Sequence, residues 1–512
     1  MRIPARLAAP LLTAALLAAT GCTATAEERS EALRIVGPFE VHSLDPATSQ
    51  AFFTRLEVAE TLVGADINGE LVPGLATEWT HESHTTWTFE LPHDAEFHDG
   101  TPVTGDAVAA SLAKVADVEA SPLSAIGIDA ITGDEHSVRF ELTEPFLTLP
   151  ATLTHYSTMV LAPSSWDEDG HVTDVIGSGP YQVDHVEFPG SIEVSAYDGW
   201  RGEAPAIERL TFQSVSRPES RALMAASDQA DIVFGLEPAG RQRVEAAPNV
   251  EMVSALQPRT LLLKVNGDHP VLGDPRVRLA LSKALDRPGM ATAVLREDDL
   301  AATQLIPPSL SAWHDEALEP LTQDLDGARD LLAEAGWEQQ SDGSWQRDGE
   351  TLRLSLVTYP DRAELPALAT AIQAAFAELG IGLDVNVTNS SEIPAGHADG
   401  TLELGLLARH FALVSDPLVT VADTFAPEGS DWGAMNWHDD EVGAAITALL
   451  RGAEGAEGEE HRRTVVEAVH EELPLIPVAW YRMNAAVNSR VADFVMDPLE
   501  HTWRLSGASW QQ

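Results

Sequence analysis

Four histidines fall close together in the first quarter of the chain, His81, His84, His93 and His98, and a metal centre is the first chemistry they raise. Their spacing fits no zinc pattern. His81-Glu82-Ser83-His84 is one residue short of the HExxH arrangement that puts two imidazoles and a carboxylate on one helical face. They are expected on exposed loops. Ser111-Leu112-Ala113-Lys114 carries the spacing of a serine nucleophile beside a lysine, but no Lys-Thr-Gly follows, and Ser178 sits in Gly-Ser-Gly rather than in a GxSxG elbow. A secreted serine hydrolase, the reading these serines would carry, has little support.

The elements around those residues explain them better. Trp87, Phe89 and Leu91 alternate with Thr88 and Glu90, the period of a half-buried strand. Asp99-Gly100-Thr101-Pro102 supplies a turn. Thr104 then stands as N-cap, with Asp106 in the first turn and Val108, Leu112 and Val115 at helical spacing, so Ser111 and Lys114 already have a place on a structural helix.

At 512 residues the chain exceeds one hydrophobic core, and two or more lobes are predicted. Its 80 acidic and 31 basic residues give a formal charge of −49, which leaves no basic stripe for a phosphate backbone and excludes a nucleic-acid partner. The acid is spread along the chain and reads as a solvated surface. Arg2 and Arg6 precede an apolar run over 7–19 and then Ala19-Thr20-Gly21-Cys22, where the one cysteine of the chain stands. That order resembles the lipobox of bacterial lipoproteins, with Ala19 in place of the usual Leu, and implies lipidation of Cys22; Ala24-Thr25-Ala26 offers ordinary cleavage as the alternative. Either way the chain is expected outside the cytoplasmic membrane.

Several phrases in order carry a family resemblance: Leu44-Asp45-Pro46, GELVPGLATEW at 69–79, FHDGTP at 97–102, GSGPY at 177–181, YDGWRGEAP at 197–205, Asp274 to Arg287, and LPLIPVAWYRMN at 473–484. Together they resemble the extracytoplasmic solute-binding proteins of the peptide, nickel and opine class that serve ABC importers, nearest the nickel-type branch. The resemblance implies an α/β, two-lobed periplasmic-binding-protein fold of the large type II class, with an extra small domain in the first lobe. Signal peptide 1–21, tether 22–32, lobe I 33–260 with the small domain about 45–175, lobe II 261–476 and a return to lobe I over 477–512 are the expected divisions.

The residues support that frame locally. Apolar positions from Phe52 to Val63 form a helical stripe, and Thr260 to Asn266 is a short apolar strand. Asp274 and Asp324 cap helices, and the strand from Leu352 to Thr358, the helix from Ala363 to Leu379 and the strand from Gly382 to Val387 make a βαβ unit. Glu454 to Glu460 reads as a solvated helix junction. The resemblance implies a monomer without cofactor or catalysis that closes its lobes on a small solute and presents it to a permease and ATPase complex.

Ligand contacts are expected, through the same resemblance, at Phe52, Phe53 and Tyr156 of the first lobe, at Arg409, His410, Phe411 and Ser415 after an apolar strand, and at Trp480 and His501 in the return. At most one of the neighbours Trp480 and Tyr481 can face a cleft, because adjacent strand residues point opposite ways. No metal ligand is assigned directly, His410 and His501 being the candidates. Peptide-binding members place an Asp ahead of the Asp-Pro pair where Leu413 and Val414 stand here, so a nickel-type chelate or another anionic or modified small molecule ranks ahead of an oligopeptide. A sensor or adhesin lipoprotein is the alternative of a different class.

Overall fold

The computed structural model describes residues 32–118, 121–124, 126–362, 364–427 and 429–511. The apolar leader, Cys22 and the Ala26 alternative lie outside them. Among the described residues no helix is long and apolar enough to cross a membrane.

One ten-stranded sheet organises both lobes. Its strands run in the order Gly382–Val387, Arg353–Thr358, Leu404–His410, Val250–Val265, Leu475–Asn488, Ile232–Phe234, Ala32–Gly37, Arg209–Ser214, Ser191–Ala196 and Tyr181–Glu187. The first three belong to lobe II and the last five to lobe I. Between them lie two long antiparallel strands, Val250–Val265 and Leu475–Asn488, which cross from one lobe to the other. The first is longer than the predicted Thr260–Asn266 strand because only its second half is fully buried; the half that starts at Val250 is partly exposed and carries no apolar run.

Each lobe has its own core. In lobe II the βαβ unit forms as its spacing demands: Arg353 to Thr358 pairs in parallel with Gly382 to Val387, and helix Glu364–Leu379 buries Leu365, Leu368, Ile372, Phe376 and Leu379. Asp274 and Asp324 cap helices Pro275–Ala284 and Leu325–Glu334, each accepting a backbone N–H. In the small domain a four-stranded sheet carries Trp87 and Phe89, and helix Gly105–Ala116 lays Val108, Leu112 and Val115 on it. Thr104 Oγ1 accepts from Ala107 N at 3.3 Å, the expected cap.

Three local expectations are corrected. The stripe from Phe52 to Val63 is helical only over Phe52–Arg55. Glu57 leaves the helix at φ 57°, and its buried carboxylate accepts the backbone N–H groups of Leu505 and Ser506, tying the C-terminal return to this point. Gly177 and Gly179 do not serve a tight bend through positive φ. A Cβ at either would stand 2.1 Å from the carbonyl oxygen of Val58 or Glu57, so it is close backbone approach that requires glycine. The junction expected over Glu454 to Glu460 is shorter and falls earlier: helix Asp440–Leu450 ends before it, and with Glu454 as N-cap helix Gly455–Glu472 takes up the rest of the stretch.

Candidate functional site

Beside the crossing strands, a cleft of about 1010 Å³ opens between the lobes. Its charge differs from that of the chain. Six arginines line it, Arg55, Arg221, Arg241, Arg259, Arg362 and Arg482, against Glu40, Glu237, Glu297, Asp361, Glu364 and Glu500. In a chain with 80 acidic and 31 basic residues the cleft wall is thus formally balanced, and what it can bind turns on which of its arginines already have a carboxylate partner.

The middle of the cleft is built on two neighbouring irregularities of the sheet. The register between the crossing strands shifts between Gln257 and Thr260, and the extra residues turn Arg259 out of the ladder, opposite His410. On the partner strand Trp480 points into the lobe II core, its Nε1 donating to Gln304 O at 3.3 Å, so Tyr481 faces the cleft. Two guanidinium groups lie against the Tyr481 ring, Arg259 at 5.3 Å and Arg362 at 5.2 Å from its centroid. Burial pushes the Tyr481 hydroxyl up to about 12, so it stays a neutral donor.

Glu500 supplies the counter-charge. Its carboxylate accepts from Arg259 Nη2 and lies 3.5 Å from Arg55 Nη2, while its carbonyl accepts from Arg55 Nε at 3.2 Å. Burial would raise this carboxyl, but Arg259 and Arg55 outweigh it and hold it below the usual carboxylate range. Arg362 differs. Among the described residues no carboxylate stands within ion-pair distance of it, although Glu364 and, less strongly, Glu500 contribute more distant fields. At the mouth Arg241 and Arg482 share Glu297, and Arg482 also meets Asp299 at 2.5 Å. An aromatic shelf from lobe I faces this polar wall: Phe52 against Phe212 at 4.9 Å, and Trp503 against Phe234 at 5.2 Å.

The residues expected at the ligand divide in the structure. Phe52 lines the cleft, whereas Phe53 is wholly buried in the lobe I core. Tyr156 lies on a short 3-10 turn beside His155 and off the cleft wall. Arg409 turns the other way, pairing with Asp423 and donating from Nε to Thr424 Oγ1 at 3.0 Å. Phe411 is wholly buried in the lobe II core. Ser415 meets the opposite lobe, where its N–H donates to Thr154 Oγ1 and its hydroxyl lies 3.2 Å from the same oxygen. His501 Nε2 donates to Leu413 O at 2.9 Å, again across the lobes. His410 is buried behind the cleft, with Nε2 lacking a hydrogen-bond partner and standing 3.8 Å from Glu500 Oε2. Burial and the Arg259 charge hold its imidazole neutral.

Arg259, Arg362, Tyr481 and Glu500 were not among the expected contacts. They come from four separate segments, so spacing cannot reveal them; the one local signal was the opposed faces of Trp480 and Tyr481. The serines weighed for hydrolysis have structural partners. Ser111 is buried and its hydroxyl accepts from Leu161 N at 3.1 Å, and Ser178 Oγ donates to Glu60 at 2.8 Å. Of the four early histidines, His98 is half-buried rather than exposed, with Nε2 bonded to Gly179 O at 3.0 Å.

Comparison with known proteins bears on the fold and the family. The nickel-binding periplasmic protein of Escherichia coli (strain K12) is 23% identical over 484 residues, 91% of each chain. Among solved structures, the Staphylococcus aureus NikA in complex with Ni(L-His)2 superposes with a TM-score of 0.80 at 18% identity, over 94% of this chain and 100% of that one. The Bacillus subtilis oligopeptide-binding protein in complex with a nonapeptide superposes with a TM-score of 0.79 at 15% identity, over 94% and 100%. Residues 70–430 match the bacterial extracellular solute-binding proteins, family 5 (middle region), and the chain belongs to that family of substrate-binding proteins.

Proposed function

We propose that the protein captures a small solute bearing a carboxylate, by closure of the lobes about the crossing strands, and delivers it to the permease of an ABC importer. The observation that carries this reading is Arg362, a guanidinium laid against the Tyr481 ring with no carboxylate within ion-pair distance among the described residues. A guanidinium in that setting takes a carboxylate in two parallel hydrogen bonds. The relatives agree at this coarse level, because a nickel–histidine chelate and a nonapeptide both present carboxylates. A nickel-type chelate stays the first candidate and a peptide the second. Lipidation at Cys22 would keep the protein on the outer face of the membrane, with cleavage after Ala26 as the alternative.

Closure is supported by the contacts that join the lobes away from the crossing strands, Ser415 to Thr154 and His501 to the Leu413 carbonyl. Any ligand that bridges the lobes would add to them and shift the population toward the closed form. No bond need be made or broken. The test is titration calorimetry with nickel plus free histidine and, separately, with a dipeptide library. Arg362→Ala is expected to weaken whichever binds by roughly 10- to 100-fold, the worth of one charge-assisted pair. Unchanged affinity in that variant would remove Arg362, and with it the reading, from the site.

A further inference from the structure

Glu500 enters the cleft from a turn shaped to put it there. Asp497 accepts the backbone N–H groups of Leu499, His501 and Thr502, at 3.0, 3.1 and 3.1 Å, and is itself buried. Inside that knot Glu500 is held at φ 61°, a left-handed backbone unfavourable for a residue with a side chain. The turn thus keeps a less favoured conformation that points one carboxylate at the deepest arginines.

The consequence is a division of labour among three guanidinium groups. Arg55 and Arg259 are both engaged by Glu500, and Arg259 also donates from Nη1 to Gln257 Oε1 at 2.7 Å. Arg362 lies against the same Tyr481 ring as Arg259 and has no such partner among the described residues. A solute carboxylate bound at Arg362 meets an open cation. A second carboxylate on the same solute, reaching deeper, would meet Glu500 with its arginines already taken, and two like charges close together in a desolvated pocket repel.

We propose that Glu500 is a specificity-determining residue that occupies, from within the chain, the place of a second ligand carboxylate, so that the cleft accepts solutes offering a carboxylate to Arg362 and rejects those that bring a second free carboxylate, not neutralised by a metal, against Glu500. The proposal rests on the reading of the cleft as a carboxylate site. It adds that the chain itself counts the charges.

The test uses the full chain, the variants Glu500→Ala and Glu500→Gln, and two probes followed by calorimetry and thermal shift: citrate as the tricarboxylate and alanyl-alanine as a solute with one carboxylate. Citrate is expected to bind Glu500→Ala at least tenfold more tightly than it binds the unaltered protein, with a smaller gain in Glu500→Gln, whose amide keeps the shape without the charge. That gain of binding is not something a merely structural residue would produce on substitution. If removal of the buried carboxylate prevents Glu500→Ala from folding, the near-isosteric Glu500→Gln decides alone. Citrate binding as tight in the unaltered protein as in the variants, or no gain in any variant that folds, would overturn the proposal. Failure of the broader reading is seen separately, as a carboxylate solute that binds the unaltered protein and is indifferent to Arg362→Ala.

Discussion

Two buried cations stand on the same crossing strand and are satisfied in opposite ways. Arg259, at the cleft, meets the Glu500 carboxylate, the Gln257 amide oxygen and the Tyr481 ring. Lys264, nearer the end of the strand and inside lobe II, meets only neutral groups: Nζ donates to the carbonyls of Ser430 at 2.6 Å and Asp431 at 2.9 Å and faces His397 Nδ1 at 2.5 Å. The difference follows from what each side chain can do when desolvated. A guanidinium keeps its proton, whereas an amine can lose one. The partners of Lys264 suit both states, because two carbonyls accept from either form and the imidazole can accept from an ammonium or donate to an amine. A structural cation is thus closed off by neutral acceptors, while this cation of the cleft is held by a charge that the chain itself supplies.

The largest effect expected from this contrast is at Arg259. Arg259→Met leaves Glu500 buried with Arg55 and the neutral His410 as its company. Breaking a buried pair costs about 3–5 kcal/mol, and the survival of Arg55 places this variant near about 3 kcal/mol of lost stability. Urea unfolding at neutral pH measures it. A loss below about 1 kcal/mol would mean that the ion pair is not what holds the cleft end of the strand.

That prediction concerns residues which the sequence did not disclose, and the reason is physical. Local features are written locally: Thr104, Asp274 and Asp324 cap the helices that follow them, and the Leu365 to Leu379 stripe buries as its period requires. The family phrases brought the two-lobed architecture with them. The cleft is non-local. Arg55, Arg259, Arg362 and Glu500 converge from four parts of the chain, and Arg259 is aimed by a register shift that no propensity encodes. Attention settled instead on Arg409, which lies across the ladder from Thr260 but turns to Asp423, and on His501, whose neighbour Glu500 is the residue that enters the cleft. In a strand or a tight turn, one step along the sequence reverses which face a side chain takes.

A second way to sharpen the contrast is pH. Burial pushes the Lys264 amine down to about 7, well below its ordinary value of 10.5, with Asp431 and Asp423 opposing and Arg409 adding to the shift. Between those two values the unfolded chain still holds a proton that the folded protein has released, so stability rises with pH. The slope is at most about 1.4 kcal/mol per pH unit, giving a gain of about 2 kcal/mol from pH 7 to pH 9. Lys264→Met should lack this gain, and the difference between the two proteins isolates it from the other titrating groups. His397, whose imidazole is lowered by burial and by the Lys264 charge, titrates below this window. Parallel stability curves for the two proteins would show that Lys264 keeps its charge and that its neutral surroundings suffice for an ammonium.

The smallest effect tests whether charge or mere hydrogen bonding dominates at the cleft end. Gln257 is wholly buried, and its amide oxygen accepts from Arg259 Nη1 at 2.7 Å while its amide nitrogen has only Met483 Sδ at 3.6 Å. Gln257→Met keeps the volume and removes the one good acceptor. Arg259 retains Glu500, so the variant loses a single hydrogen bond rather than the neutralisation of a buried charge, and the expected cost is about 1 kcal/mol in urea unfolding. It also removes a polar amide from an apolar site, which works against the loss. The ratio to Arg259→Met is therefore the informative quantity. If the two variants were equally damaging, Arg259 would be held as Lys264 is, by neutral acceptors, and Glu500 would be free to serve the ligand instead of the chain. A ratio near three to one keeps Glu500 as the group that commits Arg259, and leaves Arg362 as the cation still open to a solute.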